Sequence, residues 1–395
     1  MKRWIIFTFK LLLAVMIISP FTIFCAAEEP QKPEKVYSII YIQKPNDWYI
    51  KQAELWKKKI DKNPKDNEAW HNYYNAVRYA RFTETIDTKE KNEKLNHIIA
   101  EMGKAIPGSF EYHYLKHKTN CDLWDIEDLK KAYEIRPDRH ETYSDFISYY
   151  EFHGDMEKMK EFSEKLYLSK DLAPALINYN YNVLMSTDQN AILFTNGDND
   201  TYPVWVLQKV KGIRNDVTVL NASLSMADKS YLIRKLKAKN VEVNFDDLPQ
   251  YQTKEFLPAM GKYIAEQYPN IPVYFAATMW SYYIDPLREN LYMTGLANKY
   301  SLQRIDNIAL IRRNLETKFR LDYLIHDWYE ESFLATDQMY RLNMNYVPSM
   351  IILAEHYKIS NENNKSNYWK DFALKLAERG GMKEKIIQDL KEKGL

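Results

Sequence analysis

The chain has 395 residues, a net charge of +1, ten glycines and two cysteines. A near-neutral balance gives no electrostatic case for binding nucleic acid or an anionic membrane. So few glycines, with no G-x-G-x-x-G or G-x-x-x-x-G-K run, argue against a phosphate-cradling nucleotide loop, and the length allows two or three domains.

Residues 1–27 read as a cleavable secretory signal. Lys2, Arg3 and Lys10 accompany an apolar stretch from Leu11 to Phe24, followed by the small residues Ala26 and Ala27. Cleavage after Ala27 would leave Glu28 as the mature N-terminus and place the protein in the periplasm or cell envelope. The 14 residues of that stretch fall short of the roughly 20 that a span needs, so no transmembrane span is expected in the mature chain. Cys25 leaves a lipid-modified N-terminus open, although Phe24 stands where lipoprotein signals place a small residue. The segment carries +3 of the +1 total, which leaves the remainder near −2. It also takes one cysteine with it. Cys121 then has no intramolecular partner, and stability has to come from packing.

Residues 28–45 hold Pro30, Pro33 and Pro45 among charges and read as a linker. From 46 to 187 the pattern is helical and repetitive. Asn63-Pro64-Lys65-Asp66 opens a helix through Trp70, Tyr73, Tyr74, Val77 and Tyr79. Pro137 opens another through Tyr143, Phe146, Ile147, Tyr150 and Phe152, with a Gly154-Asp155 turn before a helix from Met156 to Leu168. In both, an aromatic stands six residues after the proline. Pro174 opens a weaker third. The steps of 37 residues (Pro137 to Pro174) and 73 (Pro64 to Pro137) leave room for an intermediate unit near Pro107. This resembles divergent tetratricopeptide repeats, whose helix pairs recur about every 34 residues and bury their apolar faces against their neighbours.

The texture changes over 188–304, which reads as a small α/β domain with a parallel sheet. Ala191–Thr195 is a short apolar strand followed by the loop Asn196-Gly197-Asp198-Asn199-Asp200. Thr201-Tyr202-Pro203 then begins a helix, and Val217–Leu220 is a second strand, which makes a βαβ unit whose two strands should lie parallel. A helix at 229–239, a strand at Val241–Phe245, a helix at 254–267 and strands at Pro272–Ala276 and Leu291–Thr294 continue the alternation. Residues 305–395 read as helical again, with Gly380-Gly381 ending a helix. The fold class expected is therefore mainly α with an α/β portion.

The run Ala191–Pro203, with Gly212–Val217 and Leu220–Leu224, resembles the soluble region of a family of large bacterial membrane proteins. That family is of unknown function, is common in Bacteroidetes and is related to the transmembrane protein O-mannosyltransferases. Asp285–Leu296 is similar to a later piece of the same region. The resemblance implies kinship with an accessory, non-membrane portion. The catalytic module of such enzymes lies among membrane spans, so no glycosyltransferase activity is implied for these residues.

The 196–201 loop follows the carboxyl end of a strand, the edge at which open α/β sheets bind ligands. Asn196, Asp198, Asn199, Asp200 and Thr201 are the candidate ligand-binding residues, offering oxygens to a cation or a sugar. The same residue types also suit a turn, with Asp200 or Thr201 capping the next helix. His113 and His117, four apart on a helix, lack an H-E-x-x-H context for zinc. No catalytic set, metal site or cofactor is assigned. The leading expectation is a non-enzymatic repeat protein binding an envelope protein or glycan, accessory to envelope assembly or glycosylation. A carbohydrate-active enzyme working through Asp198 and Asp200 is one alternative, and a structural spacer is another.

Overall fold

The computed structural model describes residues 32–80, 88–326 and 336–395; the expected export signal and Cys25 lie outside them. The chain is mostly helical. Helices α1 (Asn46–Lys62), α2 (Asn67–Tyr79), α3 (Thr88–Ala105), α4 (Phe110–Asn120), α5 (Glu127–Ile135), α6 (Tyr143–His153), α7 (Met156–Leu168) and α8 (Pro174–Met185) come first. No helix among the described residues is long and apolar enough to cross a membrane.

The proline-plus-six pattern has a physical basis. Trp70 Nε1 donates to the Pro64 carbonyl at 3.0 Å, and the Tyr143 hydroxyl donates to the Pro137 carbonyl at 2.8 Å. Proline ends the preceding unit, and the aromatic reaches back to satisfy the turn carbonyl while burying its ring. Trp70, Tyr143 and Phe146 are all buried. Phe146 stacks on Phe162 of α7 at 4.3 Å between centroids, with Tyr133 of α5 edge-on to both. The α6–α7 turn follows the expected chemistry: Gly154 takes the left-handed C-terminal position (φ 81°), and the Asp155 side chain caps α7 by accepting from Lys158 N.

Next come β1 (Ile192–Thr195), α9 (Asp198–Lys211), β2 (Thr218–Asn221), α10 (Ala222–Ala227), α11 (Lys229–Lys237), α12 (Phe256–Gln267), β3 (Val273–Ala276), α13 (Ser281–Ile284), β4 (Leu291–Met293) and β5 (Ala297–Tyr300). The sheet order is β2-β1-β3-β5-β4. β1 pairs in parallel with both β2 and β3, whereas β5 runs antiparallel to β3 and to β4. The expected parallel sheet is thus a mixed one. Thr294-Gly295-Leu296 is a tight connection, with Gly295 at φ 132°, so the chain returns antiparallel without a crossover helix. The strand expected at Val241–Phe245 does not form. Tyrosines of α12 and its end hold its amides, through Glu242 N to Tyr268 Oη at 2.9 Å and Asn244 N to Tyr263 Oη at 3.4 Å. With those donors satisfied, nothing draws the segment onto the sheet edge.

Helix α9 has two roles. It is the crossover between β1 and β2, and it packs against α7 and α8 as the next layer of the repeat stack. The remaining elements are α14 (Asn307–Arg313), continued by a π turn to Lys318, then α15 (Asp322–Ile325), α16 (Thr336–Asn343), α17 (Val347–Ile359), α18 (Asn363–Arg379) and α19 (Lys383–Glu392). Asn182 of α8 ties this region to the repeats: its carboxamide bonds both the N–H and the carbonyl of Arg320, and the Tyr346 hydroxyl.

Residues 32–45 lie along the helices rather than extending away from them. Val36 is buried against α2, and Tyr41, five residues on, donates to Asp171 between α7 and α8 at 2.6 Å. Five extended residues span at most about 17 Å, so the array must curve around this segment to bring its first and later units so close.

Candidate functional site

The expected 196–201 loop is mostly helix. Helix α9 starts at Asp198, three residues earlier than the Thr201-Tyr202-Pro203 start, and Gly197 is the cap residue. Asp200 sits in the first turn, where a carboxylate favours the helix dipole. Its oxygens accept from Asn196 N at 2.8 Å and Gly197 N at 2.7 Å, the reaching-back half of a capping box, and from the Thr278 hydroxyl beyond β3. Burial pushes this carboxyl above its usual range, and the donors from Asn196, Thr278 and Gly197 pull it back in part.

Thr201 is buried and caps nothing. Its hydroxyl donates to Thr195 Oγ1 at 2.8 Å and accepts from Asn221 Nδ2 at 3.1 Å, while Asn221 Oδ1 caps α10 through Leu224 N. Asn199 donates to the Ile40 carbonyl at 3.2 Å and receives Asn180 on its own carbonyl at 2.8 Å. Asp200, Thr201 and Asn199 therefore stitch β1 to β2, to β3, to α8 and to the N-terminal segment. Thr278, Asn221 and Asn180 complete this network without any local motif to announce them, because each comes from a different part of the chain.

Asn196 and Asp198 differ from the other three. Neither side chain has a hydrogen-bond or ion-pair partner among the described residues, and Asp198 is exposed. It opens into a cleft whose walls still exclude enough water to hold its carboxyl above the usual range. Lys118 opposes that rise, Asp145 and Asp200 add to it, and Arg78 opposes it.

That cleft lies between the repeats and the α/β layer, with Tyr202 as a shared wall. On one side of Tyr202 is a small chamber of about 30 Å³ bounded by Ile40, Tyr41, Asp171, Leu176 and Asp198. On the other is a cavity of about 370 Å³ bounded by Lys118, Asp145, Ser148, Tyr149 and Leu224. A ladder of polar contacts crosses successive helices here. Arg78 Nη1 donates to the Lys118 carbonyl at 2.9 Å, Lys118 Nζ pairs with Asp145 Oδ1 at 2.9 Å, and the Ser148 and Tyr202 hydroxyls meet at 2.8 Å. Burial pushes the Lys118 ammonium down, but the Asp145 carboxylate more than offsets that and holds it above its usual range. Asp145 Oδ2 is buried and accepts from no donor among the described residues.

A larger cavity, about 680 Å³, lies between α1, α2 and α3. His113 and His117 do not converge: His113 Nδ1 is held by Asp128 at 2.7 Å and His117 is buried. Among the described residues no three His, Cys, Asp or Glu side chains gather in a way that could hold a metal ion.

No curated protein matches the chain. The chain is similar to a crystal structure of the yeast Tom70, at 12% identity and a TM-score of 0.28, covering 90% of this chain and 61% of that one. A family model described as TMEM260-associated domain 2 matches residues 176–255, from α8 through β1, α9 and β2 to the start of α12, and so contains the Ala191–Leu224 run on which the sequence resemblance is densest.

Proposed function

We propose that this protein is a non-enzymatic binding module of the cell envelope, whose cleft between repeats and α/β layer receives part of a partner protein or glycan. The observation that carries this reading is Asp198, an unpartnered carboxyl on the wall of a cleft that also holds the buried, unsatisfied Asp145 Oδ2. A buried acceptor such as Asp145 Oδ2 costs free energy until a donor arrives, and a ligand hydroxyl, amide or ammonium would supply one. Location in the envelope rests on the N-terminal signal pattern, and a link to glycosylation rests on the matched 176–255 region.

The enzymatic alternative needs Asp198 and Asp200 to act together. Asp200 is occupied by three internal donors, which weighs against it as a proton-transferring or nucleophilic group. The test is a crosslinking pull-down from native envelopes with wild-type and Asp198→Asn protein. Recovery of a specific partner that is weakened by the substitution is expected. Metal-dependent hydrolysis or transfer lost on Asp198→Ala would sink the binding-only reading, and recovery of nothing specific would favour a spacer.

A further inference from the structure

The N-terminal segment 34–43 is held in a way unlike the rest of the fold. Among the described residues it pairs with no strand and forms no helix; apart from a turn at 38–42, where Tyr41 N and Ile42 N donate to the Ser38 carbonyl, side chains of four separate helices hold its backbone. Gln52 Oε1 accepts Glu34 N at 2.7 Å, and Trp56 Nε1 donates to the Glu34 carbonyl at 2.8 Å. Asn72 Oδ1 accepts Val36 N at 2.7 Å, and Asn75 Nδ2 donates to the Val36 carbonyl at 3.3 Å. Further along, Gln338 Nε2 donates to the Ile39 carbonyl at 3.0 Å and Asn199 Nδ2 to the Ile40 carbonyl at 3.2 Å. Groups that read N–H and C=O recognise the course of a backbone, here an irregular stretch through Val36 followed by the turn at 38–42. Side chains add to this: Val36 is buried to 2% exposure, the Tyr41 hydroxyl donates to Asp171, Glu34 accepts from Trp48 and Gln52, Ser38 accepts from Tyr79, and Gln43 accepts from Arg341. Lys35 and Tyr37, on either side of Val36, face solvent.

This segment also bears on the cleft. Ile40 and Tyr41 form one side of the small chamber that Asp198 and Tyr202 line, and the clamp on Ile40 is Asn199, the neighbour of Asp198. A ligand large enough to reach Asp198 and Asp171 together therefore meets residues 40 and 41 in its way.

We propose that residues 34–43 are a built-in occupant of the inner face of the repeats, and that the partner engaging the Asp198 cleft displaces them with a polypeptide segment of its own that follows the same backbone course. This rests on the cleft being the binding site, and it chooses a polypeptide over a glycan. Because the occupant is tethered next to its site, its effective concentration is in the millimolar range, so a free segment competes poorly until the tethered one is weakened.

The probe is a fluorescent peptide with the sequence Glu34 to Gln43, titrated by anisotropy into the full chain. Wild-type protein should bind it weakly, and Val36→Arg protein, its own segment expelled, about a hundredfold more tightly. A peptide carrying the same Val36→Arg change should not bind, and adding Asn72→Ala and Asn75→Ala to the Val36→Arg chain should abolish binding. Should Val36→Arg fail to fold, a protease site inserted between Gln43 and Lys44 gives the same answer from otherwise native protein. After cleavage the labelled peptide should replace the released segment. A folded Val36→Arg chain that does not bind the peptide overturns the proposal, as does a cut segment that excess peptide never replaces. Gain of affinity for envelope oligosaccharides in place of the peptide overturns it too. If Asp198→Asn loses its envelope partner while the peptide results are negative, the cleft stands and only the built-in occupant falls.

Discussion

Asp200, in the first turn after β1, accepts the hydroxyl of Thr278, just past β3, and so closes the crevice at the point where the strand order reverses. Chain flow runs from β1 to β2 on one side and then returns across β1 to β3 on the other. That reversal is where open α/β sheets usually leave room for a ligand. Here a carboxylate of the protein itself fills the polar role, and the open cleft lies one turn away, at Asp198 and Tyr202.

Asp200 should accordingly contribute to stability rather than to binding. Asp200→Ala strands three donors, two of them backbone N–H groups, and should cost about 3 kcal/mol or more. Thr278→Val removes one donor from the same carboxylate and should cost about 1–3 kcal/mol. Chemical denaturation of both variants checks the order. An Asp200→Ala protein with an unchanged midpoint would show that the crevice is not a structural joint.

Asp198 should behave in the opposite way. With no internal partner and with Asp145 and Asp200 nearby, Asp198→Asn should leave stability equal or slightly raised while weakening partner recovery from envelope extract. Thr201→Ala breaks the Thr195–Thr201–Asn221 chain of hydrogen bonds and should lower stability by about 1–2 kcal/mol, with no loss of binding beyond that. Thermal denaturation and pull-down run side by side distinguish the two. Loss of stability in Asp198→Asn with binding intact would make the whole turn scaffold.

The repeat core depends on its buried aromatics. Phe146→Ala removes a ring packed between α5 and α7, and Trp70→Ala removes both a buried ring and the Pro64 hydrogen bond. Each should cost about 3–5 kcal/mol. Urea denaturation that showed either variant within 1 kcal/mol of wild type, roughly the scale of a surface substitution, would contradict interior packing.

Acid should weaken the first repeats through His71. Burial lowers its pKa from 6.5 to about 4; Glu141 opposes the shift, while Arg139 and Lys35 reinforce it. Between those values the unfolded chain binds a proton that the folded chain refuses, so stability falls as pH drops from 6.5 towards 4. The full difference is about 3–4 kcal/mol. Denaturation midpoints of wild type and His71→Gln measured at pH 7 and pH 4.5 should converge or cross as pH falls, because the variant lacks this loss. Parallel pH profiles would show that His71 is solvated.

Much of the architecture was legible from local patterns. Apolar residues at helical spacing, the proline-plus-six aromatics, the Gly154-Asp155 turn and the βαβ alternation each depend on neighbours within about one helix pair, and each appears in the fold. The role of the Asn196–Thr201 cluster was not legible, because identical residue types serve a helix start, a strand-to-strand bridge and an open cleft. Asp198 and Asp200 are two apart in sequence, yet helical geometry turns them about 200° apart, so one faces Tyr202 and the cleft while the other faces Thr278 and the sheet. The antiparallel hairpin of β4 and β5, the failure of 241–245 to join the sheet and the inward path of residues 34–43 were likewise decided by distant partners. Sequence determined which segments could be helices and strands and which faces had to be buried. Only the tertiary structure decided which polar groups would be satisfied internally, since that depends on donors and acceptors such as Asn72, Asp171 and Thr278 arriving from far along the chain.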